Sequence, residues 1–127
     1  PIILRKSGCL VEFGRWIDLY TGKIFVNAKS VDIDHLVPLK FAWDHGAAEW
    51  SQKKMRSFYN NPMNLFVVGR KINREKGAFG PLDWLPPSSS FKCSYIIKFL
   101  IISKSYGLKF ATKRQMAYNN LKNEVCK

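Results

Sequence analysis

The sequence predicts a mixed α+β fold. Strand-type alternation of apolar and polar residues dominates the first forty positions, helical spacing takes over between residues 40 and 59, and a second helical stretch begins near residue 91. The chain has 127 residues, 46% of them hydrophobic and 14% aromatic, enough for one buried core, so residues 1–127 are expected to form a single domain. The charged content of 24% is ordinary, which excludes an intrinsically disordered chain.

Taken in order, residues 15–26 (RWIDLYTGKIFV) alternate around Tyr20-Thr21-Gly22-Lys23, where Gly22 supplies the positive φ of a tight turn, and read as an N-terminal β-hairpin. Residues 30–39 (SVDIDHLVPL) read as a strand ended by Pro38. Residues 40–59 fit one or two helical segments broken near Gly46. Asn61-Pro62 ends them, and residues 64–68 (NLFVV) form a short buried strand. Residues 70–76 read as a short helix with Gly77 as its C-terminal glycine. The Gly/Pro/Ser-rich stretch 79–90 holds Trp84 and Leu85, which predicts an ordered loop pinned by its aromatic residue. Residues 91–106 form a core helix ending near Gly107. A last helix starts at Thr112, where Thr112 and Gln115 have capping-box form and Ala117, Leu121 and Val125 make an i, i+4, i+8 stripe.

Twenty-one Lys and Arg face nine Asp and Glu, a formal net charge of +12. Residues 1–84 carry 13 basic and 8 acidic side chains, whereas residues 85–127 carry 8 basic ones and only Glu124. A folded domain this basic attracts polyanions, either nucleic acid or an anionic membrane surface. No apolar run reaches the ~18–20 residues a membrane span needs. A chain beginning at Pro1 is expected to be a processed product or a domain of something longer.

Cys9, Cys93 and Cys126 form no C-x-x-C pair, which argues against a structural zinc knuckle. One disulfide with a free thiol leaves three pairings open. Three unpaired thiols in a reducing compartment is the other reading.

The chemistry concentrates between Asp32 and Lys76. Asp34 and His35 are adjacent at a strand end, where a regular strand turns them to opposite faces, so both reach one site only if the chain bends after them. Asn73 lies on the short helix, four residues after Gly69. A carboxylate and an amide oxygen are hard donors, suited to Mg²⁺, Mn²⁺ or Ca²⁺ with water and phosphate oxygens completing the shell. That leaves the His35 imidazole free for acid/base work. Each feature alone has a plain structural explanation: a lone histidine is usually structural, and asparagine is common at helix starts.

In combination their order resembles the HNH, or ββα-metal, nuclease superfamily. The matching text is Asp34-His35-Leu36-Val37-Pro38-Leu39, then Asn61-Pro62-Met63-Asn64-Leu65, then Lys71-Ile72-Asn73-Arg74-Glu75-Lys76-Gly77, then Pro81-Leu82-Asp83-Trp84-Leu85-Pro86-Pro87. It is most similar to the branch typified by the C-terminal domain of restriction enzymes that attack glucosylated DNA, which includes small secreted bacterial nucleases. The likeness extends to Gly14-Arg15-Trp16, Asp18, Tyr20-Thr21-Gly22 and Lys92-Cys93-Ser94-Tyr95, and leaves only the two ends poorly matched.

The resemblance implies a ββα-metal core (31–77) of two strands and a short helix, preceded by the N-terminal hairpin and followed by packing helices (91–127). It implies Asp34 and Asn73 as ligands of one divalent cation, Mg²⁺ before Mn²⁺ and Zn²⁺ last, with His35 as general base. Asn64 would orient the site, through a bond between the strands or to the His35 imidazole; a turn-capping Asn after Pro62 is the structural alternative. Arg70, Lys71, Arg74 and Lys76 flank Asn73 as phosphate contacts, some of them simply solvated. Arg56 is a phosphate clamp or the partner of a carboxylate. Asp32 shares a strand face with Asp34 as an outer group or a strand-end carboxylate. His45 has no motif position and reads as a surface histidine. Trp16, Trp43, Trp50 and Trp84 suit core packing better than base stacking. Lys92, Lys98, Lys104, Lys109, Lys113 and Arg114 make a diffuse positive footprint.

The expected activity is a divalent-metal-dependent endonuclease acting on DNA, with RNA not excluded and little sequence preference, because no helix shows a base-reading set. The alternatives are a non-catalytic basic nucleic-acid-binding module and a restriction-type nuclease acting on modified DNA. Secretion or delivery from the producing cell fits a nuclease or an antibacterial toxin domain, the latter with an acidic immunity protein as partner. A restriction role would place the protein in the cytoplasm.

Overall fold

The computed structural model describes residues 3–4 and 11–127, with side chains from residue 12 onward. Cys9 lies outside the described residues. The architecture is α+β: a three-stranded sheet, a separate two-stranded sheet and five α-helices among the described residues.

The first sheet is antiparallel in the order β1 (Ile3–Leu4), β2 (Val11–Ile17), β3 (Ile24–Asn27). Trp16 pairs with Phe25 and Ile17 with Ile24, and the register shifts between Phe13 and Trp16. The hairpin turn is built on Asp18. Its amide donates to the Lys23 carbonyl at 2.8 Å and its carbonyl accepts from Gly22 N at 2.7 Å. Its buried carboxylate accepts from Tyr20 N at 2.8 Å and from the Thr21 hydroxyl at 2.7 Å, and Gly22 adopts φ 79°. An aspartate that bonds its own backbone two residues on is a strong turn former.

The second sheet pairs β4 (Val31–His35) with β5 (Leu65–Gly69), antiparallel, with Asp34 opposite Phe66 and His35 opposite Leu65. β4 ends before Pro38, because the amides of Leu36 and Val37 turn to Asn64 instead of a ladder partner: Leu36 N donates to the Asn64 carbonyl at 2.9 Å and Val37 N to Asn64 Oδ1 at 2.7 Å. β5 begins one residue later than predicted, since Asn64 ends a 3₁₀ turn, Pro62–Asn64, capped by Asn61. Between the two strands lie α1 (Leu39–Asp44) and α2 (Gln52–Asn60). They are separated at Gly46, whose φ of 124° ends the first, and Ser51 caps the second through Lys54 N.

α3 (Arg70–Lys76) follows β5 directly and closes at Gly77, φ 53°, whose amide donates to the Asn73 carbonyl. The 79–90 stretch is held as predicted, with Trp84 packed on Tyr20 and Tyr95 at ring distances of 5.5 and 5.8 Å. Gly80 leaves no room for a side chain: a Cβ there would sit 2.7 Å from the Phe41 ring.

α4 (Lys92–Ser105) and α5 (Thr112–Val125) complete the core, which joins Leu36, Val37, Phe58, Phe99 and Tyr118. The capping box at Thr112 does not form. Ala111 occupies the capping position and Thr112 is already the first helical residue, one place too late to cap. Tyr118, which is fully buried, anchors α5, with Leu121 and Val125 packed partly buried beside it. Cys93 in the first turn of α4 is bonded to Cys126 just past α5, so the reading of three unpaired thiols is corrected.

His45 is likewise not a surface histidine. Its ring stacks on Phe41 at 4.0 Å, Nδ1 bonds the Phe41 carbonyl at 2.7 Å, and Phe110 lies at 5.4 Å. Of the tryptophans, Trp50 and Trp84 pack against the core, Trp16 is half-buried and Trp43 is 54% exposed.

Candidate active site

Asp32 and Asp34 on β4 meet Asn73 and Lys76 of α3, respectively, while His35 lies against the end of α2. β4 alternates, so Asp32 and Asp34 share the face over which α3 packs and His35 turns away from it. Asp34 is buried, and its Oδ2 accepts from the Tyr20 hydroxyl at 2.7 Å and from the Lys76 ammonium at 2.9 Å. Oδ1 has no hydrogen bond among the described residues. Burial, with the Asp34 carboxylate second, pushes the Tyr20 phenol far above the usual tyrosine range, so it stays a neutral donor. Burial pushes the Lys76 ammonium down, against the pull of Asp34.

Asp32 holds the other end of α3. Its Oδ1 accepts from Arg70 Nε at 3.1 Å and its Oδ2 from Asn73 Nδ2 at 3.2 Å. With its amide nitrogen held there, Asn73 keeps Oδ1 as the oxygen available to a cation. Asp34 Oδ1 and Asn73 Oδ1 are the hard oxygen donors by which these two residues could hold an ion that takes its remaining ligands from water and phosphate. Among the described residues no group of three or more His, Cys, Asp and Glu side chains is arranged to hold a metal by itself.

His35 is partly exposed. Its Nε2 lies 2.9 Å from the Tyr59 carbonyl, and the two rings are 4.8 Å apart. A carbonyl only accepts, so Nε2 carries the proton and Nδ1 is left with a free lone pair, the form a general base needs. Asn64 makes no bond to this imidazole. Its Oδ1 and Nδ2 bond the amide and carbonyl of Val37, at 2.7 and 3.2 Å, and so tie the chain leaving β4 to the start of β5.

Lys76 departs most from its predicted place. It is fully buried, with Nζ on Asp34 and, at 2.9 Å, on the His35 carbonyl, and has no open side for a phosphate. Arg70 is half-exposed on Asp32, while Arg74 and Lys71 are exposed on α3. Arg56 is exposed on α2 and makes no ion pair among the described residues. A cavity of about 950 Å³ opens between the β2–β3 turn and α3, lined among others by Lys23, Phe25, Arg70, Lys71 and Arg74.

Two partners escaped sequence reading, and a third, Asp32, was read as an outer group without its link to Asn73. Tyr20 meets Asp34 from the β2–β3 turn, fourteen residues away in sequence. Tyr59 contributes only main-chain carbonyl, which no side-chain pattern marks. Asp32 as the holder of Asn73 was signalled only by its i, i+2 relation to Asp34.

The β4–β5 pair with α3 across it is a ββα-like core within an α+β fold, and its polar groups gather at the strand–helix junction. The chain belongs to the family of GmrSD restriction endonucleases, C-terminal domain, which it matches over residues 5–121. An uncharacterized secreted protein of Arthroderma benhamiae (strain ATCC MYA-4681 / CBS 112371) is 34% identical over 131 residues, 95% of this chain and 64% of that protein. The chain thus spans just under two thirds of that relative's length. No solved structure matches significantly. No helix among the described residues is long and apolar enough to cross a membrane.

Proposed function

We propose that the protein is a metal-dependent HNH-type endonuclease that hydrolyses DNA phosphodiester bonds with little sequence preference. The observation that carries this reading is the His35 ring: Nε2 is held on the Tyr59 carbonyl, and among the described residues Nδ1 and Asp34 Oδ1, at the same strand end, have no hydrogen-bond partner. His35 Nδ1 takes the proton from a water as its oxygen attacks phosphorus. The P–O3′ bond breaks and the leaving O3′ takes up a proton from solvent, which leaves 5′-phosphate and 3′-hydroxyl ends. Asp34 and Asn73 would hold one divalent cation, Mg²⁺ by ligand hardness and Mn²⁺ as a substitute. When bound, it stabilises the charge that grows on phosphate and leaving oxygens. Tyr20 and Lys76 orient Asp34, Asp32 orients Asn73, and Asn64 fixes the turn that presents His35.

The test is nicking of supercoiled plasmid. Open-circular product is expected with Mg²⁺ or Mn²⁺, and none with EDTA. No cleavage under any divalent ion would favour a non-catalytic nucleic-acid-binding module; cleavage confined to glucosylated DNA would favour a restriction role. The Cys93–Cys126 disulfide and the secreted relative support an oxidising, extracytoplasmic setting.

Charge supplies the affinity. The rim of the cavity beside α3 suits the strand that flanks the scissile phosphate, with Lys23, Lys71 and Arg74 among its exposed cations. Anisotropy titrations of a labelled duplex in EDTA, run over a range of salt, should show the Lys23→Ala/Lys71→Ala pair lowering the slope of log K against log salt by about 1–2. An unchanged slope would remove that strand from the cavity.

A further inference from the structure

The charges around the two expected ligands are balanced within the protein. Asp34 faces Lys76, whose buried ammonium lies 2.9 Å from Oδ2, and Asp32 faces Arg70 at 3.1 Å. The Tyr20 hydroxyl adds a further donor to the oxygen that Lys76 already holds. Asn73 is a neutral donor. Ion affinity in oxygen-ligand sites follows the number of charged ligands, and among the described residues there is no third His, Cys, Asp or Glu to complete a site.

We infer that Lys76 is a built-in countercharge that keeps the free protein's affinity for a divalent cation low, so that cation and polynucleotide bind cooperatively, each supplying charge the other lacks. The inference rests on the nuclease reading above. Lys76 is a positioning residue: it touches neither phosphate nor cation, and acts through the Asp34 carboxylate and the His35 carbonyl. A phosphodiester brings the anionic oxygen that the balanced pair does not. Linkage makes the effect reciprocal, with the cation raising duplex affinity by the same factor that the duplex raises cation affinity.

The test uses the full chain carrying His35→Ala, which strongly slows cleavage and keeps both ligands, with free Mn²⁺ read by its EPR signal. Saturating short duplex should tighten Mn²⁺ binding about tenfold or more, over a control that also carries Asp34→Ala and so corrects for Mn²⁺ held by the duplex alone. Adding Lys76→Gln should tighten Mn²⁺ binding to the free protein by about tenfold and shrink the coupling, while Lys76→Arg restores weak free binding. Circular dichroism checks folding; if Lys76→Gln does not fold, the coupling measured with Lys76 present decides. Equal Mn²⁺ affinity with and without duplex, in a protein whose unmutated form still cleaves plasmid, overturns the countercharge alone. No Mn²⁺ binding that depends on Asp34, together with no cleavage by the unmutated chain, overturns the nuclease reading on which it rests.

Discussion

Replacing His35 with alanine is expected to slow plasmid nicking about 10²–10⁴-fold, the usual worth of a positioned general base, with little loss of stability. The ring is partly exposed, and its hydrogen bond goes to the Tyr59 carbonyl at the end of α2, a group that water reaches once the ring is gone. Asp34→Ala should behave differently. It removes a cation ligand and also strands the Lys76 ammonium, fully buried with only the His35 carbonyl left to it. An uncompensated buried charge of this kind costs about 3–5 kcal/mol. Single-turnover nicking and thermal melts of the two variants separate the cases: slow cleavage with a near-normal melt for His35→Ala, slow cleavage with a strongly lowered melt for Asp34→Ala. Cleavage by His35→Ala at the unmutated rate would remove His35 from the mechanism.

The second large effect concerns the disulfide. Cys93 and Cys126 are 33 residues apart, and their bond closes a loop containing nearly all of α4 and α5. Loop-closure entropy for that length is worth about 3–4 kcal/mol, or roughly 10–20 °C in melting temperature for a domain of this size. The two helices also touch through Phe99 and Tyr118 at 5.7 Å, and α4 reaches the site's support through Tyr95, 5.6 Å from Tyr20. Loss of the cross-link is therefore felt in the framework that holds Tyr20. Urea titrations with and without reductant, repeated on Cys93→Ser/Cys126→Ser, measure it. A change under about 1 kcal/mol would mean that packing alone holds the two helices and that the chain-entropy account fails here.

Local signals located most of the elements. Gly22 adopts the positive φ predicted for it, and Gly46, Gly77 and Gly107, placed where helices were expected to break or end, adopt positive φ as well. Strand limits slipped where a side chain displaced the ladder. Pro38 looked like the natural end of β4, yet Asn64 takes the amides of Leu36 and Val37 first, from 27 residues away at its side chain. At Thr112 the pattern S/T-x-x-Q was present but shifted by one residue, since the helix starts after Ala111. His45 read as a surface histidine because it has no motif position; Phe41, one helical turn back, and Phe110, from the distant α4–α5 connection, cover its ring.

By itself the sequence determined the family-bearing order Asp34-His35, Asn64, Asn73, the excess of positive charge, and the strand–connection–strand–helix run that carries them, because these depend on residue type and spacing alone. Only the tertiary structure decided what each group does with its neighbours. It put Lys76 inside, on Asp34, rather than outside on a phosphate, brought Tyr20 to the same carboxylate oxygen, and set Tyr59 behind His35. The reason is physical: a buried ion pair and a main-chain acceptor are made by segments that meet only on folding, and no local pattern encodes which charge will be desolvated or by which partner it will be met.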